Sequence, residues 1–189
     1  MKIGLLIICI SLVLSCSRRG EVNTLSGTIE ILTKRDTTKM LYGRSVVHYF
    51  SNNSDKDTLK IYVIGKSIVE GQVRFQIIDQ TGEEIVDEKF PSIYLAGYGL
   101  PASSTNEQKV EYIKRRIDAF FDDEQFHVPA IDLRAKFDEH DSPAPRADWE
   151  EIRDDQTAIG FAYLVGEEDH RFIAYSKKSR KIVLYFNCC

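Results

Sequence analysis

Short runs of alternating apolar and polar residues, or of β-branched and aromatic ones, recur along the chain between turn residues. Gly27 to Thr33, Arg44 to Ser51, Leu59 to Ile64, Gln72 to Ile78 and Glu84 to Phe90 read as strands in the first half. Val73, Phe75 and Ile77 fall on one face of the fourth of these, with Arg74 and Gln76 on the other. Asp79-Gln-Thr-Gly82 then makes a turn, and Val86, Glu88 and Phe90 share a face of the returning strand. Alternation on both sides of a Gly-containing turn predicts an antiparallel hairpin.

Ile93 to Leu100 is apolar and aromatic, is spaced by Gly97 and Gly99, and is closed by Pro101. The period then changes. Val110, Ile113, Ile117, Phe120 and Phe121 recur at helical spacing after a Ser104-Thr-Asn-Glu107 capping pattern, which predicts an amphipathic helix over 106–121. Glu111 and Arg115 form a favourable pair on its polar face. The segment 126–146 carries Pro129, Pro143 and Pro145 and reads as irregular, with Pro145 opening a short helix through Trp149 and Ile152.

The chain ends in strands over 158–165, 171–176 and 182–187. In the first of these, Ile159, Phe161, Tyr163 and Val165 share one face and the small residues Ala158, Gly160 and Ala162 the other. Small residues let a helix lie close, and the 106–121 helix is the expected cover. Consecutive strands joined by tight turns exclude a parallel α/β sheet. The expectation is an α+β fold: mainly an antiparallel β meander or sandwich with one amphipathic helix packed on it. Residues 24–189 are expected to form a single globular domain, with a subdivision conceivable near residue 101.

The N-terminus follows another pattern. Lys2 precedes twelve uncharged residues, Ile3 to Leu14. A bilayer span needs about 20 apolar residues, so this run fits the apolar segment of a secretory signal over 1–15. Val13-Leu14-Ser15-Cys16 resembles the lipobox of bacterial lipoproteins. Together with the chain's size and hairpin-rich body, it makes the protein similar to the small lipoproteins of Bacteroides-type bacteria. The resemblance implies cleavage between Ser15 and Cys16, lipid on Cys16, a tether over 16–23 and a membrane partner reached through that lipid. In that group acidic residues soon after the cysteine favour export to the outer surface. Ser17-Arg18-Arg19-Gly20 departs from this, which implies a lipid-anchored, periplasm-facing position at the outer membrane.

The 189 residues carry 25 Lys+Arg against 29 Asp+Glu, so the net charge of −4 argues against nucleic-acid binding driven by positive charge. No nucleophile elbow, phosphate loop, zinc-protease helix or calcium loop is present in the sequence, and no catalytic residue, cofactor or metal site is assigned. His48, His127, His140 and His170 lie far apart along the chain. Three acidic groups, 122–124, 138–141 and 150–151, could hold a hard cation only if the fold gathered them. Tyr94, Tyr98 and Trp149 flank Gly- and Pro-containing segments, where aromatic side chains can contact a sugar or anchor a partner surface. They are the candidate binding residues. Cys188 and Cys189 can close a strained vicinal disulfide, bridge two chains, or remain two thiols on opposite faces of a final strand.

These features point to a cell-envelope lipoprotein that binds or scaffolds without catalysis, with an envelope protein or glycan as partner. The alternative is an envelope hydrolase acting on glycan or peptide. That alternative requires a concave pocket with a carboxylate or histidine within hydrogen-bond reach of another polar group.

Overall fold

A computed structural model describes residues 39–97 and 99–188. The expected strand at 27–33, together with Cys16, Tyr98 and Cys189, lies outside these residues. The described residues belong to one compact unit. It is α+β and rich in strands, with two four-stranded antiparallel meanders.

The first sheet runs β1 (Met40–His48), β2 (Asp57–Ile64), β3 (Gln72–Ile78) and β4 (Glu84–Pro91), each strand paired with the next. The alternation read from the sequence decides which face is buried. Leu59, Ile61, Val63, Val73, Phe75 and Ile77 are fully enclosed. The β3–β4 turn is built by Asp79, whose carboxylate accepts from the backbone N–H groups of Thr81 and Glu83. Gly82 supplies the positive φ of 91° that this turn requires.

A 3₁₀ turn over Ser92–Ala96 leads into α1 (Asn106–Asp118). The capping box forms one residue later than the Ser104–Glu107 pattern suggests: Thr105 caps the helix and pairs reciprocally with Gln108. Glu111 bonds Lys114 at 3.0 Å, while Arg115 lies over the Tyr112 ring. Ile113 and Ile117 of α1, with Phe120 and Phe121 beyond it, pack into the first sheet.

The second sheet is β5 (Phe126–His127), β6 (Gly160–Leu164), β7 (His170–Ser176) and β8 (Lys181–Cys188), again a meander. β5 falls within a stretch that reads as irregular in the sequence. Two residues are too few to show alternation, and the pairing partner, β6, lies more than thirty residues away. β6 is buried on both faces. Phe161 and Tyr163 join the core shared with the first sheet, where Phe75 stands 5.3 Å from Phe120, 5.7 Å from Phe161 and 5.1 Å from Tyr163. The small-residue face does not receive α1. Ala158 packs instead with Trp149 and Ile152 of α2 (Arg146–Asp154), and Gly160 faces His127 and Tyr185. The large aromatic face meets Phe75 of β3 together with Phe120 and Phe121, which follow α1.

The second helix is tied down by polar contacts. Glu151 accepts from the Ser176 hydroxyl at 2.7 Å and the Lys178 N–H at 3.0 Å, and Asp148 pairs with Lys181 at 2.8 Å. Among the described residues no helix is long and apolar enough to cross a membrane.

Candidate functional site

A cavity of about 380 Å³ lies on the α2 side of the second sheet. Its apolar walls are Trp149 of α2, Phe172 of β7, Phe186 of β8, and Ala130, Ile131 and Ala135 of the loop following β5. An irregularity in the β7–β8 register pairs Phe172 with Phe186 but the next residue, Ile173, with Leu184, so Tyr185 is the extra residue. A bulge of this kind re-aims side chains. Here Tyr185 and Phe186, neighbours that would otherwise point to opposite faces, both line the cavity.

The loop from 130 to 142 closes the other side and is fixed through its backbone. Ala130 donates to the Ala158 carbonyl at 2.8 Å, Ser142 to Asp138 at 3.0 Å, and Asn187 of β8 to Asp141 at 3.0 Å. Phe137 from this loop meets Trp149 edge-on at 5.7 Å, and Arg153 covers the Trp149 ring at 5.6 Å. The indole is therefore held on several sides.

Three polar groups face this apolar space. His127 Nε2 and the Tyr185 hydroxyl are hydrogen-bonded at 2.6 Å. Burial pushes the His127 imidazole below the ordinary histidine range, against a smaller opposing pull from the Ala130 backbone. Burial also holds the Tyr185 phenol well above the ordinary tyrosine value. The pair is thus neutral at neutral pH. Ser142 is 8% exposed and lines the cavity, and its Oγ has no hydrogen-bond partner among the described residues. A buried polar atom left in this way costs about 1–3 kcal/mol, which a ligand or water atom placed there would recover. Asp132, Lys136, Asp138 and Asp141 complete the lining. Arg134 pulls the Asp132 carboxyl down to about 2.

Of the aromatic residues singled out in the sequence, Trp149 belongs to this site. At 6% exposure it is a wall and not an open stacking platform. Tyr94 is 49% exposed on the 3₁₀ turn, next to Gly166, and does not line the cavity. Tyr98 and the lipidation candidate Cys16 lie outside the described residues. So does Cys189, and with it any pairing to Cys188, which ends β8 half-buried.

The acidic groups are engaged separately: Asp122 with Arg44 at 2.8 Å, Glu150 with Arg146 at 2.9 Å, and Glu151 with the Ser176 turn. Among the described residues no cluster of three His, Cys, Asp or Glu side chains could hold a metal ion. Two of the four histidines are brought together. His48 stacks on Phe126 at 3.8 Å, and it shares with His127 a cleft of about 390 Å³ beside the main cavity.

His127, Tyr185 and Ser142 come from three separate stretches of sequence, and no local spacing marks them. The one available signal was His127 followed by Val128-Pro129, an imidazole in an otherwise apolar run. No known protein family, curated protein or solved structure matches the chain.

Proposed function

We propose that the protein is a lipid-anchored binding module of the bacterial cell envelope, whose cavity beside Trp149 takes a small, mainly apolar molecule carrying a neutral polar group. The anchor rests on the short apolar run and on Val13-Leu14-Ser15-Cys16. The observation that carries the binding reading is the unpartnered Ser142 Oγ set in an aromatic-walled cavity of about 380 Å³. Binding sites of this size typically combine apolar walls with a few fixed polar groups. The His127–Tyr185 pair provides a second polar contact without a net charge. A charged ligand would lose hydration against these walls and find no opposite charge buried among them.

The test is native mass spectrometry of the protein extracted from its own envelope. The reading expects diacylglyceryl mass on Cys16 and a small molecule that leaves on mild denaturation. An unmodified Cys16 contradicts the anchor, and a cavity that accepts no apolar probe contradicts the binding role.

The hydrolase reading has one observation in its favour, since a histidine within hydrogen-bond reach of a polar group does stand in a concave pocket. Hydrolysis needs an activated nucleophile or water. The Tyr185 phenol is pushed away from ionisation and Ser142 has no base bonded to it, which supports binding over turnover. Release of fragments from peptidoglycan that stops with His127→Ala would reverse that preference.

A further inference from the structure

A second cavity, of about 570 Å³, opens at the C-terminal end of α1. It shares no lining residue with the one beside Trp149. Its walls are Phe120, Tyr163 and Leu164, and Phe120 and Tyr163 are themselves core residues, 5% and 2% exposed. Its polar lining is Arg116, Gln125, Glu167, His170 and Cys188.

Arg116 is the unusual member. Arg44, Arg74, Arg146, Arg153 and Arg171 each hold a carboxylate. The Arg116 side chain makes no ion pair or hydrogen bond to any described residue, and its Nε–H is shut away from solvent without an acceptor. The last turn of α1 offsets part of the charge through its carbonyl ends. It does not satisfy the buried donor, and a guanidinium fork with no partner suits a planar carboxylate.

We infer that this cavity binds a small monocarboxylate with an apolar body, the carboxylate on the Arg116 fork and the body against Phe120 and Leu164. His170 supports the assignment. Its ring lies 4.5 Å from Phe172, and burial, then the positive charge of Arg116, hold it below the ordinary histidine range. Arg116 thus places a positive charge beside His170 at this cavity. Glu167 also lines the cavity, on its exposed side, and with the negative helix end it sets a limit on charge. A monoanion meets one guanidinium on balanced terms, whereas a phosphate dianion meets two nearby negative centres as well.

The test is a heteronuclear NMR titration of the full chain with benzoate, benzamide and inorganic phosphate. Benzoate is expected to shift the amides of Ala119, Gln125 and His170 saturably. Benzamide, its neutral counterpart, and phosphate are each expected to bind at least about tenfold more weakly. Arg116→Gln should lose benzoate by a similar factor, Arg116→Lys should recover part of it, and Arg180→Gln should match the parent chain. The proposal is overturned if benzoate does not saturate, if benzamide or phosphate equals it, or if folded Arg116→Gln binds as the parent does. The benzoate–benzamide comparison needs no variant and stands whether or not Arg116→Gln folds.

Discussion

Glu88 of β4 accepts a hydrogen bond from the Tyr163 hydroxyl of β6 at 2.8 Å, so a carboxylate of the first sheet meets a phenol of the second at the edge of their shared core. Arg171 of β7 binds the other Glu88 oxygen at 3.1 Å and is itself held by Asp169 at 2.6 Å. The Tyr163 phenol, raised by burial and then by the Glu88 charge, keeps its proton and remains the donor.

Removing the hydroxyl by Tyr163→Phe should cost about 1–2 kcal/mol, because the bond has a charged acceptor. Glu88→Ala should cost more, about 2–3 kcal/mol, since it leaves the phenol and one Arg171 donor without an acceptor. Urea unfolding of the two single variants and the double variant should give a favourable coupling above about 0.5 kcal/mol. Strict additivity would show that the bond contributes nothing between the sheets.

Stability should fall as the solution is acidified through the histidine range. His127 is held below its ordinary value by burial, so the unfolded chain binds a proton before the folded one does. The stabilisation is complete above about pH 6.5 and is lost as pH falls towards the folded value. His170 is shifted in the same direction and adds to the slope. His127→Phe should therefore flatten the decline between about pH 6.5 and 5 without abolishing it. Equal slopes in chemical denaturation would mean that His127 is not held neutral.

Gly160 is required by the pair above it. A Cβ at this position would collide with the His127 ring and stand 2.7 Å from the Tyr185 hydroxyl. Gly160→Ala should lose about 1–3 kcal/mol through overpacking. Adding Tyr185→Phe removes one of the colliding atoms, so the double variant should regain part of that loss in thermal unfolding. If the second change deepens the loss by its full single-variant cost, the crowding does not involve Tyr185.

Local order was legible in the sequence and long-range order was not. The Asp79–Gly82 turn, the helical spacing of Ile113 and Ile117, and the alternation of Val73, Phe75 and Ile77 depend on neighbours within a few residues. All three appear as expected. Glu88 was placed correctly on the face of Val86 and Phe90, but its partner Tyr163 lies 75 residues away. The cover for Ala158 and Gly160 was misread because small residues announce a close approach without naming what approaches. β5 escaped notice for the same reason, since two residues carry no period. Of the site, Trp149 was legible as a candidate binding residue, and Asp138 and Asp141 only as members of an acidic group. Tyr185 enters through a bulge, and a bulge is fixed by the pairing of two strands and not by either one alone.

The protein has one tryptophan, and it forms a wall of the proposed binding cavity. Trp149 emission followed during titration with the neutral dye N-phenyl-1-naphthylamine therefore tests the account directly. Saturable energy transfer from Trp149 to the dye is predicted, and it should be lost when Ala135→Phe fills the cavity from the facing loop. Transfer that does not saturate, or that survives unchanged in folded Ala135→Phe, would contradict the assignment of this cavity as the binding site.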